Sequence, residues 1–319
     1  MKIIIKRIGI ILAFVLIICA ILLIISYVNH RIQLAKEDVL FKPIGKQVNV
    51  NGHMMNVYSE GEGNKTLVFM SGGGTCSPLL DFKSLYSQLS DAYRIVVVEK
   101  AGYGFSEITD SSRDIDTVLS DTRQALKLAG IEGPYVLCPH SMSGIEALYW
   151  AQQYPDEVTA IIGLDMAVPK TYENYPINMP IIRLSAFAAN TGVTRWLSSA
   201  EQSDAIKHGT LTESEKELYK IIFYRRTCTT DMINEVQQIK TSAKKVANGD
   251  IPNVPILLFS SNGEGTGWNK TQWKAFQSEF ASNCKNGSLL ELDCSHYVHD
   301  IEYIKIANEM RTFLRNLLD

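Results

Sequence analysis

The chain has no internal repeat, no low-complexity tract and, after residue 40, no run of lysine and arginine. These absences exclude a repeat architecture, a disordered chain and a nucleic-acid-binding surface. Cysteine is scarce. Of six, Cys19 sits inside a long apolar run, which leaves Cys76, Cys138, Cys228, Cys284 and Cys294 for the rest of the chain. An odd number leaves at least one thiol unpaired, and no Cys-x-x-Cys or mixed Cys/His spacing points to a metal. Most of the thiols therefore read as small buried hydrophobes, with Cys284 and Cys294 the pair to test first for a disulfide. No Gly-Lys-Ser/Thr follows the glycine loop Gly72-Gly73-Gly74, so it is not a phosphate cradle.

What is there is a chain of 319 residues, 46% hydrophobic and 20% charged, enough for one large domain with an insertion or for two small ones. The net charge is −3, and Lys2, Lys6 and Arg7 precede the first apolar segment, which leaves 28 of the 31 basic residues against 34 acidic ones. From Ile8 to Val28 run 21 uncharged, mostly branched apolar residues. At ~1.5 Å per residue they span the ~30 Å hydrocarbon core of a bilayer. Residues 1–30 are expected to form a transmembrane anchor and 31–44 a linker. The basic residues ahead of the run outnumber Arg31 and Lys36 behind it, which puts the N-terminus in the cytoplasm and the remainder outside the cell membrane. A cleaved signal peptide is the rival. The run exceeds the usual ~7–15-residue apolar region of such a peptide, and Ser26-Tyr27-Val28-Asn29-His30 is a poor cleavage site.

Beyond the anchor, Lys46–Val50 and Met54–Tyr58 flank Asn51-Gly52, a dipeptide suited to a tight hairpin turn. Apolar runs then alternate with helical patterns. Thr66–Met70 and Arg94–Val98 are too uniformly apolar for half-exposed strands and read as buried parallel ones. Helices are expected near 79–89, along the stripe Val118, Thr122, Ala125, Leu126 and Ala129 closed by Gly130, and from Ser141 to about Tyr154. Strands are expected at Tyr135–Cys138 and Val158–Leu164. From 166 to 250 the alternation lapses into helical stretches over 181–197, 212–224 and 230–246, read as an inserted cap. Strand-like runs resume at Val254–Phe259 and Ser288–Leu292, and a final helix repeats Ile301, Ile304, Ala307, Met310, Leu314 and Leu317. The expected architecture is α/β, a mostly parallel eight-stranded sheet covered on both faces, with a core over 45–165 and 251–319 and the cap between.

The chemistry centres on Tyr135–Gly144, a short apolar run that ends in a serine between small residues and leads into a helix. Such a strand–turn–helix elbow lifts Ser141 to the tip of the turn above a helix N-terminus. A serine hydroxyl is a poor nucleophile until a base takes its proton, and that base needs an acid to orient it. His296, in the loop after the last strand, is the expected base; His299 falls at or inside the last helix, and His140 beside the serine points away from it. Two carboxylates lie between serine and base at strand ends: Glu264, in a turn-rich loop, is the expected acid, and Asp165 is the alternative. For the oxyanion the expected donors are the N–H groups of Met142, next to the serine, and Gly73, in Ser71-Gly72-Gly73-Gly74-Thr75.

Five segments in order resemble the α/β-hydrolase fold family. Ser71-Gly72-Gly73 resembles its oxyanion loop His-Gly-x, and Ala101-Gly102-Tyr103-Gly104-Phe105-Ser106 its R-G-x-G-x-S turn. His140-Ser141-Met142-Ser143-Gly144 resembles G-H-S-M-G-G, Tyr154-Pro155-Asp156-Glu157-Val158 resembles Y-P-x-x-V, and Ser295-His296 the final G-H. The resemblance covers about 45–318 and departs at Pro139, at Ser71 and at Ser261–Glu264, where the family carries G-x-x-D. It implies a hydrolase of esters or amides that works through an acyl-enzyme without a cofactor, with Ser141 as nucleophile, His296 as base, and Gly73 and Met142 as oxyanion donors. Its partners would be a small-molecule ester or amide and, through the anchor, the lipid bilayer. A dehalogenase would need an aspartate at the serine position. The competing reading is a non-catalytic ligand-binding or interaction module on the same fold.

Overall fold

The computed structural model describes residues 2–317; residues 1, 318 and 319, at the outer ends of the expected anchor and core segments, lie outside the described residues. Asn51 and Gly52 both adopt positive φ, 52° and 93°, the combination that closes a two-residue hairpin. Across that turn β1 (Lys46–Val50) pairs antiparallel with β2 (His53–Glu60), and β2 pairs antiparallel with β4 (Arg94–Glu99). The remaining strands, β3 (Thr66–Met70), β5 (Tyr135–Pro139), β6 (Val158–Leu164), β7 (Ile256–Ser260) and β8 (Gly287–Glu291), run parallel to β4 and to one another. The eight-stranded order is β1-β2-β4-β3-β5-β6-β7-β8, the mostly parallel sheet that the alternating pattern implies.

Strands β3, β5 and β7 are buried along their whole length because both faces are covered. Alternate residues feed two cores: Val68, Met70 and Leu137 join one, Leu67, Phe69 and Cys138 the other. Helices α4 (Ile115–Ala129), α5 (Ser143–Gln153) and α11 (Lys270–Asn283) pack into the first core. The second is closed by α2 (Pro78–Asp81) and α3 (Lys83–Tyr86), where one helix was expected, and by α12 (Val298–Ile301) and α13 (Tyr303–Asn316). Helix α4 starts where the Asp114 carboxylate accepts the Thr117 N–H and stops at Gly130 with φ 79°.

Between β6 and β7 the chain forms α6 (Met179–Asn190), α7 (Val193–Trp196), α8 (Asp204–Lys207), α9 (Glu213–Arg226) and α10 (Thr230–Ala247). The stretch 181–197 is therefore not one helix. Gly192 breaks it at φ 76°, and a Cβ there would lie 2.4 Å from His30 Cβ, so the glycine also admits the N-terminal helix α1 (Lys2–Glu37). Helix α1 is long and apolar enough to cross a membrane, and its last turns pack against α7 and α9.

All six cysteines are free, which corrects the Cys284–Cys294 pairing. Cys284 belongs to the first core and Cys294 to the second, so the sheet separates them.

Candidate active site

Three parallel strands end at the same edge of the sheet, and each delivers one polar side chain. After β5, Ser141 takes φ 53°, an uncommon left-handed conformation for a non-glycine residue and one that holds its side chain at the tip of the turn into α5. After β6, Asp165 takes φ 50° and is fully buried. After β8, the loop ahead of α12 carries His296, which is also buried.

The three side chains form a chain of hydrogen bonds. His296 Nδ1 lies 2.6 Å from Asp165 Oδ2, and His296 Nε2 lies 2.8 Å from Ser141 Oγ. A carboxylate only accepts, so Nδ1–H donates to it, which leaves the Nε2 lone pair to accept the Ser141 hydroxyl. Asp165 is held in turn: its Oδ1 accepts the Ser261 N–H at 2.7 Å and the Trp273 indole N–H at 2.7 Å. Burying a carboxylate without such donors would cost several kcal/mol, about 1–3 or more for each unmet bond.

Glu264 is not the partner of His296. Its side chain is exposed, and only its backbone carbonyl reaches the histidine, accepting the His296 N–H at 2.9 Å. Gly263 and Gly265 on either side, with φ 87° and 89°, turn that loop outward. The carboxylate beside His296 is therefore not the expected Glu264 but the alternative, Asp165.

The two altered elbow positions fit without glycine. Pro139 ends β5 opposite Met70, where the next residue supplies the bond: His140 N–H donates to Met70 O at 2.9 Å. Ser143 Oγ stands 2.6 Å from Met70 O and 2.8 Å from His140 O, so its hydroxyl ties the elbow to β3. The loop after β3 closes over the serine. A Cβ on Gly72 would lie 2.7 Å from Ser141 Cβ, and one on Gly73 would lie 2.7 Å from Met142 Cε. Among the described residues, no bond within the fold takes the N–H of Gly73 or of Met142.

His140 and Trp273 carry positions that residue spacing alone did not reveal. His140 Nε2–H donates to His296 O at 3.1 Å, and the two rings lie 4.6 Å apart. Burial, then the neighbouring His296, hold the His140 imidazole well below its ordinary range, so it stays neutral as a donor. Trp273 stands edge-on to His296, with ring centroids 5.9 Å apart, while its indole N–H holds Asp165. The second glycine loop lies outside this constellation; the Glu99 carboxylate takes the Phe105 N–H at 2.7 Å and fixes that turn.

Above the serine lies a cavity of about 390 Å³. Its floor is Ser141, Met142, Gly73 and His296; its walls include Tyr172, Tyr175, Trp268 and Val236. From α6 only Ile181 and Ile182 reach it. Leu184 and Phe187, on the same helix, are outside the lining and exposed.

Residues 65–204 match the family model described as alpha/beta hydrolase fold. The chain is 37% identical over 298 residues to the uncharacterized protein YbdG of Bacillus subtilis (strain 168), covering 91% of this chain and 92% of that one. The chain belongs to the α/β-hydrolase fold family. Among solved structures it is similar to an epoxide hydrolase of Bacillus megaterium, with TM-score 0.66 and 17% identity over 85% of this chain and 100% of the other. That likeness carries the fold alone. A 2-(acetamidomethylene)succinate hydrolase of Mesorhizobium japonicum is 25% identical over 122 residues, 38% of this chain and 42% of that one. The family supports a hydrolytic activity on small molecules and leaves the bond cleaved open.

Proposed function

We propose that the protein is a membrane-anchored serine hydrolase that cleaves an ester or amide through an acyl-enzyme, with Ser141 as nucleophile, His296 as general base and Asp165 as the orienting acid. The observation that carries this reading is the unbroken line Ser141 Oγ, His296 Nε2, His296 Nδ1 and Asp165 Oδ2, with contacts of 2.8 and 2.6 Å. The hydroxyl proton passes to Nε2 as Oγ attacks the carbonyl carbon, and the imidazolium so formed is stabilised by Asp165. The oxyanion falls to the N–H groups of Gly73 and Met142, each worth ~2.7–4 kcal/mol of barrier in comparable sites. His296 then returns the proton to the leaving alcohol or amine, and water reverses the sequence on the acyl-enzyme.

Helix α1 supports a bilayer anchor: its apolar run is exposed from Ile8 to Leu22, and the basic side chains of Lys6 and Arg7 flank its start. The N-terminus then lies in the cytoplasm and the hydrolase outside the cell membrane. The test is labelling of the full chain with a fluorophosphonate. Labelling and esterase activity that both vanish in Ser141→Ala and in His296→Ala support the reading; an adduct that persists in Ser141→Ala sinks it.

A further inference from the structure

Helix α1 does not end where its apolar run ends. It continues to Glu37, and its inward stripe of Ser26, His30, Leu34 and Glu37, at helical spacing, is held by the helical insertion. Ser26 Oγ donates to Thr191 O at 2.8 Å and accepts the Trp196 indole N–H at 3.0 Å. Arg195 grips Glu37 with two bonds of 2.6 and 2.8 Å and reaches His30 Nδ1 at 2.9 Å. Arg225 pairs with Asp38 at 2.9 Å and donates to Leu34 O. The insertion is therefore clamped to the anchor.

Where it is clamped decides what it touches. Ser26 is two residues short of Val28, the end of the apolar run, or ~3 Å along the helix axis. A segment bonded to Ser26 must lie at the boundary of any bilayer that α1 spans. That segment is apolar on its open side: Leu184, Phe187, Trp196 and Leu197 are 52–68% exposed. An indole at such a boundary is the usual placement for tryptophan. The surface is also continuous with the cavity above Ser141. Helix α6 carries Ile181 at the cavity mouth, 59% exposed, and twelve residues run from Met179 to Asn190, ~18 Å, ending beside the contact with α1.

We infer that the exposed face of α6 and α7 lies in the outer headgroup–acyl boundary of the bilayer that anchors the protein, and that the cavity takes its ester or amide from that bilayer, so the substrate class is a membrane-dissolved acyl lipid. The inference rests on the anchored-hydrolase reading above. Its chemistry is that of the cavity: aromatic and branched walls suit an acyl chain, and the exposed apolar side chains of Phe187, Leu184 and Ile181 lie on the one helix that reaches the cavity mouth. The occupant of the exposed face is lipid rather than protein because the face begins at the span itself.

The test uses the full chain in phosphatidylcholine vesicles, with Cys19→Ala and Cys228→Ala removing the accessible thiols. An environment-sensitive fluorophore goes on Leu184→Cys or Phe187→Cys, with Lys285→Cys as the remote control. Both α6 probes are expected to be blue-shifted and quenched about twofold by lipids brominated near the headgroup, at the ~5–10 Å depth of an interfacial helix, while the control stays in water. Water-like α6 probes on a chain that floats with the vesicles overturn the inference and leave the anchor reading intact. A chain that fails to float overturns both. Probes shielded from water yet untouched by the brominated lipids mean a second copy or another protein covers the face, and overturn it too. In the kinetic arm, Leu184→Glu with Phe187→Glu is expected to cut turnover of a vesicle-embedded long-chain ester at least tenfold and to leave a short soluble ester unchanged. Equal loss on both esters, or on neither, overturns the delivery route. Absence of turnover in the unsubstituted chain would instead fail the hydrolase reading, while the fluorescence arm still decides the bilayer contact.

Discussion

Replacing Asp165 with asparagine removes one charge and changes almost no shape, so its consequence can be worked out bond by bond. Asp165 Oδ1 accepts two N–H groups, from Ser261 and Trp273, each at 2.7 Å. An asparagine keeps its oxygen there, since the flipped amide would set its own N–H group against both donors and cost about 1–3 kcal/mol for each unmet bond. The amide nitrogen then occupies the place of Oδ2 and donates to His296 Nδ1. That nitrogen must give up its proton, the proton moves to Nε2, and Nε2–H faces Ser141 Oγ where a lone pair is required.

The expected loss in kcat for Asp165→Asn is about 10⁴-fold, or about 5.5 kcal/mol of barrier, the scale seen when a triad histidine is held in the wrong tautomer. Glu264→Gln is the matched control. Its carboxylate is exposed and its backbone bond to His296 survives, so kcat should stay within about twofold, as for surface substitutions generally. Steady-state hydrolysis of a short chromogenic ester by the detergent-solubilised chain reads both, and the rate of fluorophosphonate labelling checks the serine directly. Equal losses in the two variants, or an Asp165→Asn enzyme within about tenfold of the parent, would refute the tautomer argument.

Three further outcomes follow from the same geometry. Ser143→Ala removes a hydroxyl shared by Met70 O and His140 O, both of which keep a backbone N–H, so the expected cost is about 1 kcal/mol in chemical denaturation and little in kcat; no measurable loss would contradict the tie to β3. Gly72→Ala drives a Cβ against the backbone-fixed Ser141 Cβ, whereas Gly73→Ala meets only the flexible end of Met142, so kcat should fall about 10²-fold in the first and far less in the second; the reverse order would relocate the oxyanion loop. His299 is fully buried, and among the described residues both its ring nitrogens lack a partner; burial, then His296, lower its pKa to about 3 from 6.5. The unfolded chain therefore takes the proton first, and stability is lost as pH falls from about 6.5 toward 3. His299→Phe should escape that loss, gaining about 2 kcal/mol on the parent between pH 7 and pH 5 in paired denaturation curves, since each unit is about 1.4 kcal/mol. An unchanged difference across that range would mean the imidazole is hydrated.

The sheet is legible in the sequence because a strand covered on both faces must be apolar throughout, and Thr66–Met70, Arg94–Val98 and Tyr135–Cys138 carry that signature with few competing patterns. The hairpin is legible because Asn51-Gly52 supplies the two positive φ values that its turn requires. The helical insertion is less so. Apolar spacing over 181–197 fits one long helix, and only the contact with α1, which needs Gly192 left-handed and without a Cβ, breaks it in two. That break is a tertiary constraint, and no local pattern contains it. The same holds for Leu184 and Phe187, whose spacing describes an apolar stripe without saying whether it lines a cavity, packs onto the core or stays exposed, as it does.

The acid is the sharper case. Ser141 and His296 stand out because each follows a strand and the chemistry demands both, but two carboxylates satisfy the order serine, acid, histidine. Glu264 has the better position, after the penultimate strand, yet its neighbours are Asn262, Gly263 and Gly265, a setting where a carboxylate stays hydrated. Asp165 sits inside the apolar run Ile161–Val168, and a charge there is tolerable only with several donors waiting for it. That cost was the available signal: a lone carboxylate within a buried strand end must be met by partners, and Trp273, Ser261 and His296 are the ones that meet it. Motif order locates the edge of the sheet where a carboxylate can meet His296, and the price of burial, read from the flanking residues, selects which carboxylate does.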